Sequence, residues 1–154
     1  MSAMSGLQVA VDLALGKRDA AAQLLAQARQ TWIAAQLQLD QLENYAQETT
    51  ARWSKQLASC TPELMRHHYQ FMERLNHAVG LQTGIVAERA RTVSSAAFAL
   101  REAECRLESL RQVHAARERE LRMALGRREQ KQSDEQAALQ YRRLAGEHAG
   151  GGLR

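Results

Sequence analysis

The chain is poor in the residues that break helices and in those that fill a globular core. It has a single proline, Pro62, and its aromatic side chains amount to two Trp, three Tyr and two Phe among 154 residues. No segment alternates apolar and polar residues as a half-buried strand does, and the hairpin turns Asn-Gly and Asp-Gly do not occur. Ala, Gln, Leu, Arg and Glu predominate instead, a composition typical of long helices and coiled coils. The expected fold class is all-α.

Long apolar runs are absent as well. No stretch approaches the ~18 consecutive apolar residues that indicate a membrane-spanning helix. Near the N-terminus the positive charges of Lys17 and Arg18 follow the apolar residues, which is the reverse of the order in a secretory signal peptide. These features favour a soluble protein of the cytoplasm. The net charge of +4 leaves nucleic acid, an anionic membrane surface or an acidic protein surface open as partners.

Residues that could carry chemistry are few and badly spaced. Cys60 and Cys105 are too few for a disulfide framework, and we expect free thiols in a reducing compartment. His67, His68 and His77 do not share one helical face, and no Cys or carboxylate completes a tetrahedral set around them. A glycine-rich phosphate loop and a nucleophile elbow are also missing. We therefore expect no metal site, no cofactor and no enzymatic activity.

One apolar stripe with a seven-residue period runs from the N-terminus to Ser59. Its positions are Val11, Ala14, Ala21, Leu25, Ala28, Trp32, Ala35, Leu39, Leu42, Ala46 and Trp53. Such a stripe forms the seam for a single partner helix and does not enclose a core. The stripe ends before Pro62, where a new helix begins: Thr61 suits its cap and Glu63 the positive end of its dipole.

A second stripe follows this break and predicts a partner for the first. Its positions are Leu64, His68, Phe71, Leu75, Ala78, Gln82, Ile85, Arg89, Val93, Ala96, Leu100, Ala103, Leu107, Leu110 and His114. We expect helix 1 over about 6–58, a turn at 59–61 and helix 2 over about 62–145, and so short a connection makes the helices antiparallel neighbours. The prediction is a single antiparallel two-helix coiled-coil hairpin over 1–147, with unequal helices and a flexible tail at 148–154.

Two features of the second stripe depart from a uniform seam. Two consecutive four-residue steps near Arg89 form a stutter, which locally unwinds a left-handed supercoil. Helix 1 also runs out opposite roughly residues 115–118, so the last ~30 residues of helix 2 overhang without a partner in the chain. This overhang is rich in Arg and Glu, and it includes Lys131. It indicates a protein-binding segment more than a nucleic-acid-binding one, because acidic residues are interleaved and stacking aromatics are few.

Three runs of residues carry information beyond helical periodicity. They are Leu39-x-x-Leu42-x-x-Tyr45, Tyr69-Gln70-Phe71-Met72-x-x-Leu75-x-x-Ala78-Val79-x-x-Gln82 and Arg128-Glu129-Gln130-Lys131-x-x-Asp134-Glu135. In this order and spacing they resemble the FliJ family, small soluble proteins of the bacterial flagellar type III export apparatus, over about residues 7–144. Relatives often have a glycine-containing loop where this chain has Cys60-Thr61-Pro62 at its turn.

The resemblance implies a non-enzymatic rod similar to the central-stalk coiled coil of rotary ATPases. It implies that the protein binds and activates the ring of the flagellar export ATPase (FliI), contacts the membrane-embedded export gate protein (FlhA) and escorts export chaperones. Carried over to this sequence, the gate-binding residues are Phe71, Leu75, Ala78 and Gln82. The ATPase-binding residues are Arg122, Arg127, Arg128, Lys131 and Asp134. The implied location is cytoplasmic, peripheral to the inner membrane at the flagellar base, with a role in motility.

Other functions are compatible with the same periodicity. The equivalent stalk protein of a virulence type III secretion injectisome is one alternative. A basic helical nucleic-acid binder is another, and a dimeric scaffold that uses the leftover helix as a zipper is a third. We prefer flagellar export, without nucleic acid as a partner, because the resemblance includes residues outside the seam.

Overall fold

A computed structural model describes residues 2–151 of the chain, with side-chain exposure for 4–149. Its elements are α1 at Ser2–Gln56, a 3-10 turn at Leu57–Ser59 and α2 at Pro62–Gly151. The two helices pack against each other, and no strand occurs within the described residues. The predicted all-α, antiparallel two-helix coiled-coil hairpin with a longer second helix is confirmed.

The turn between the helices has the cap that its sequence predicts. Thr61 Oγ1 accepts a hydrogen bond from the backbone N–H of Leu64 at 3.3 Å, and the Thr61 carbonyl accepts one from the N–H of Met65 at 3.1 Å. Pro62, which has no N–H to satisfy, takes the first helical position. Cys60 has an extended backbone, with φ −95° and ψ 135°, and this residue separates the two helices.

Both helices extend further at the chain ends than the sequence pattern indicates. α1 begins at Ser2 instead of about residue 6, and α2 continues to Gly151 instead of about residue 145. No proline interrupts either end, so the helical hydrogen-bond ladder continues past the last seam residue. The flexible tail at 148–154 stays a prediction: residues 148–151 belong to α2, and 152–154 lie outside the described residues.

The chain divides into two compact units, of which the larger is Ala14–Arg106. In this unit α1 and α2 run antiparallel, because residues with lower numbers on α1 contact residues with higher numbers on α2. The contacts are Trp53 with His68, Tyr45 with Phe71, and Ala35 with Gln82. The residues buried here are Ala14, Leu25, Ala28, Ala35, Leu39, Leu75 and Gln82. All seven lie on the predicted stripes, so the seam is where the sequence pattern indicates it.

The second unit joins Met1–Leu13 to Leu107–Arg154. Leu107 is only 2 % exposed, and Leu110 and His114 are half-buried. Every residue from 117 to 149 is exposed, so this stretch of α2 has no buried face. We call residues 117–149 the C-terminal segment. α1 still reaches the start of this segment, because Met4 lines a surface groove together with Glu118, Leu121 and Arg122. The overhang expected from the unequal lengths of the two stripes begins beyond that groove. Hydropathy along the described helices stays below the level of a membrane-spanning segment.

The seam of α2 shifts by one residue in its middle. The stripe assigned Ile85 and Arg89 to the interface, but both are exposed, and Val86 and Ala90 are half-buried in their place. The two consecutive four-residue steps therefore run from Gln82 through Val86 to Ala90, slightly earlier than predicted. The shift puts two apolar side chains towards α1 and leaves the Arg89 guanidinium in water, where a charged group is far more stable.

Candidate interaction surfaces

Aromatic side chains hold the two helices together near the turn. The rings of Trp53 and His68 are stacked, with centroids 3.9 Å apart and planes 5° apart. Further from the turn, Tyr45 meets Phe71 edge to face, with centroids 6.0 Å apart and planes at 81°. Aromatic pairs in such arrangements contribute about 0.5–1.5 kcal/mol beyond the area they bury. The Phe71 ring is therefore held in place on α2 while 39 % of the residue stays exposed.

The four predicted gate-binding residues do not form one exposed face. Leu75 and Gln82 are buried against α1, at 8 % and 9 % exposure. Ala78 is half-buried, and Phe71 is the most exposed of the four. Leu75 and Gln82 thus stabilise the helix pairing. A partner that reaches this set meets chiefly Phe71 and the outer edge of Ala78.

Gln82 is a polar residue in an otherwise apolar seam, and its amide is satisfied within the chain. Its Nε2 donates hydrogen bonds to the carbonyl oxygen of Ala35 at 2.9 Å and to Oε1 of Gln38 at 3.2 Å. A buried amide without such partners would be costly. The two bonds cross from α2 to α1, so they favour one register of the helices over its neighbours.

Large apolar side chains lie on the exposed faces of α2 around Phe71. They are Leu64, Met65, Tyr69, Leu81 and Ile85. The stripe placed Leu64 and Ile85 in the seam, whereas Met72 and Val79, which are off the stripe, are half-buried. Periodicity alone does not choose between neighbouring apolar positions in a stretch that is hydrophobic on several faces.

The five predicted ATPase-binding residues are all exposed in the C-terminal segment. Arg127, Lys131 and Asp134 follow one another in steps of four and three and border one shallow surface groove. Arg128 lies about 100° around the helix from Arg127, and Arg122 about 140°. The structure therefore brings three of the five onto one face and leaves the other two on different faces.

The arginines and the lysine of the C-terminal segment are outside ion pairs. Basic and acidic side chains at ion-pair distance in the described chain are Arg18 with Asp19, Arg52 with Glu48, and the imidazole of His114 with Glu118. From residue 119 to 149 none forms, although the mixed sequence offers many pairs four residues apart. Asp134 Oδ1 instead accepts a hydrogen bond from Gln130 Nε2 at 3.1 Å. The guanidinium groups here remain available to a partner.

Reactive groups stay apart in the described residues. Cys60 is half-buried at the turn and Cys105 is exposed on α2, and both are free thiols. No three His, Cys, Asp or Glu side chains come together as possible metal ligands in the part of the chain that the structure describes. What the molecule offers to a ligand is surface: the aromatic and apolar region around Phe71, and the cationic C-terminal segment.

Comparison with known families gives one match. A protein-family model described as the flagellar FliJ protein covers residues 4–146, which includes the region around Phe71 and nearly all of the C-terminal segment. Comparisons with curated proteins and with solved structures found no match. The family resemblance seen in the sequence is confirmed.

Proposed function

We propose a function from the premise that this chain belongs to the flagellar FliJ protein family, whose model covers residues 4–146. Membership makes the chain a component related to flagellar protein export, in a family of non-catalytic components of the export apparatus. In that role it is a stalk-like coiled coil that binds and activates the export ATPase ring, contacts the export gate and escorts export chaperones. It acts in the cytoplasm, held at the inner membrane by these partners. The flagellar match favours this function over an injectisome stalk.

The main support for the proposed ATPase contact is that the arginine-rich C-terminal segment is fully exposed. A single α-helix is about 10–12 Å across with its side chains, so it enters a ring pore too narrow for two helices. Its cations are outside ion pairs, and acidic loops around such a pore would steer them inward. We place the ATPase contact at Arg122, Arg127, Arg128, Lys131 and Asp134.

Stimulation of the cognate flagellar export ATPase tests this assignment. The triple variant Arg127→Glu, Arg128→Glu and Lys131→Glu should abolish stimulation at low salt, because the segment then repels the acidic surface that it is proposed to meet. Its helicity, measured by circular dichroism, should be unchanged because the three side chains are exposed.

A matched control separates a local contact from net charge. Arg66, Arg74 and Arg91 are exposed cations elsewhere on α2, and their reversal to Glu changes the net charge by the same amount. This control variant should stimulate the ATPase as the unmodified chain does. Full stimulation by the C-terminal variant, or equal loss in the control, contradicts the assignment.

For the gate we propose the set Phe71, Leu75, Ala78 and Gln82, with Phe71 as its accessible member. Exposed aromatic side chains that are already fixed in position lose little freedom on binding and are frequent anchors of interfaces. Phe71 meets both conditions, through its exposure and its contact with Tyr45. Leu75 and Gln82 contribute by holding α2 against α1 beneath the contact.

Single substitutions distinguish these two roles. Phe71→Ala should weaken binding to the isolated cytoplasmic domain of the export gate about tenfold or more, a loss of about 1.4 kcal/mol. Leu24→Ala, at an exposed leucine of α1 away from this set, should leave gate affinity unchanged. Leu75→Ala should act on thermal stability first. Gate binding by Phe71→Ala that equals that of the unmodified chain contradicts the proposal.

A further inference from the structure

A groove between α1 and α2 lies in Ala14–Arg106 at the opposite end of that unit from the turn. α1 contributes Ala14 and α2 contributes Ala99 and Ala103 to its lining. Ala14 is buried, Ala103 half-buried and Ala99 exposed, and their short methyl side chains, the floor of the groove, leave it open between the longer residues around it. Phe98 stands beside this floor with 56 % of its surface exposed. The apolar part of the groove thus includes an aromatic ring that no other part of the described chain covers.

The border of the groove is cationic. Lys17, Arg101 and Arg106 lie along it, against Glu102 as the carboxylate in its lining. None of these four side chains is at ion-pair distance from an opposite charge within the described chain. Free cations around an apolar floor are complementary to an apolar stripe flanked by carboxylates.

We propose that this groove docks an amphipathic helix of another protein, whose apolar stripe packs on Phe98 and the alanine floor and whose flanking Asp and Glu meet Lys17, Arg101 and Arg106. A helix seats itself in the groove between two others by ridge-into-groove packing, and small residues allow the close approach. Phe98 to Arg106 spans about 12 Å, or roughly two turns of the incoming helix.

The shape of the site favours a helix over an anionic membrane. A flat lipid surface would meet the cationic border and Phe98, but it does not reach Ala14, which is buried between the two helices. An amphipathic helix uses both features, which is how apolar grooves recognise helical partners. The proposal uses neither the Phe71 set nor the C-terminal segment, so it stands or falls independently of the proposed ATPase and gate contacts.

A synthetic peptide serves as the probe. It has about 18 residues, five helical turns, with leucine at i, i+3, i+4 and i+7 spacing and glutamate beside the stripe. A second peptide has lysine in place of every glutamate. Fluorescence anisotropy of the labelled peptide measures binding to the full chain. Maleimide reaction of Cys105, which is in the groove lining, reports occupancy, and Cys60 at the turn is the internal control.

The acidic peptide should bind about tenfold or more tightly than the lysine peptide, and Phe98→Ala should loosen it by about tenfold. Reversal of Lys17, Arg101 and Arg106 to Glu should invert the preference between the two peptides. Bound peptide should slow the reaction of Cys105 and leave that of Cys60 unchanged. Circular dichroism of each variant should match that of the unmodified chain.

Matched variants decide whether the site is specific. Arg29, Arg66 and Arg91 are exposed cations outside the groove. A variant with all three reversed to Glu should still bind the acidic peptide more tightly than the lysine peptide. Leu24→Ala, at an exposed leucine outside the groove, should bind the peptide normally. Absence of saturable peptide binding, equal loss in the matched reversal, or protection of Cys105 by phosphatidylglycerol vesicles but not by peptide overturns the proposal.

Discussion

Four leucines of α2 before residue 117 are covered by α1, namely Leu75, Leu100, Leu107 and Leu110, whereas every described leucine after it is exposed. Within the second unit Leu107 is 2 % exposed and Leu125 is 54 % exposed, although the two residues are chemically identical and both lie in regular helix. Burial of seam residues stabilises the first stretch. The C-terminal segment relies on intrinsic helix propensity, which makes an isolated helix only marginally stable in water.

The comparison also indicates where binding energy is available. The exposed large apolar side chains of the C-terminal segment are Leu121, Met123, Leu125, Leu139, Tyr141 and Leu144. Covering such side chains gains free energy, which a partner ring would supply and the chain itself does not. The apolar side chains of the seam are already buried between the two helices and are not available to a partner. The C-terminal segment therefore keeps all of its apolar surface available to a partner, whereas the paired stretch has only the part outside the seam.

The largest expected difference is between two leucine substitutions. Leu107→Ala should lower the free energy of unfolding by about 2–4 kcal/mol, because it removes a buried side chain and leaves a cavity. Leu125→Ala should change it by no more than about 0.5 kcal/mol, as expected of an exposed site. Urea unfolding followed by circular dichroism measures both. Equal losses would mean that something covers the C-terminal segment in solution, such as a second copy of the chain.

Two glutamines offer a subtler comparison, since each makes side-chain hydrogen bonds of similar length. Gln82→Ala should cost about 1–2 kcal/mol, because buried bonds and packing between the helices are lost. Gln130→Ala should be nearly neutral, because water replaces the exposed bond to Asp134. Denaturant midpoints report both effects.

A further variant separates packing from hydrogen bonding at the buried site. In Gln82→Leu an apolar side chain of similar size takes the place of the amide, and stability should stay within about 1 kcal/mol of that of the unmodified chain. A loss as large as that of Gln82→Ala would mean that the hydrogen bonds themselves dominate at this position.

The sequence predicted the seam well where the pattern was strict. Leu25, Ala28 and Leu39 are buried as the seven-residue period indicates, and Thr61 caps α2 as its side chain suits it to do. The pattern was wrong at Ile85 and Arg89, where the stutter allows two registers one residue apart. Only the packing against α1 chooses between them, and that packing is absent from a one-dimensional pattern.

The candidate sites were predicted less completely, for a related reason. Residues that resemble a family motif are identified by type and order, which does not separate a side chain that touches a partner from one that supports it. Leu75 is buried and Phe71 is exposed within a single four-residue step, so exposure had to come from the structure. Sequence analysis also missed the groove beside Phe98, because its lining comes from residues distant in the chain.

The smallest expected effects come from substituting two glycines, one in the paired part of α2 and one in the C-terminal segment. A Cβ added at Gly84 or Gly126 meets no atom within 4 Å, so alanine fits at both positions and improves helix propensity by about 0.8–1 kcal/mol. Gly84→Ala should raise the free energy of unfolding by nearly that amount, since residue 84 is in the paired part of α2. Gly126→Ala should leave global unfolding unchanged and increase only helicity and amide protection in the C-terminal segment, which frays independently of the seam. Hydrogen exchange of the backbone amides distinguishes the two outcomes. An equal rise in global stability for Gly126→Ala would show that the C-terminal segment unfolds together with the paired helices, which contradicts its independent fraying.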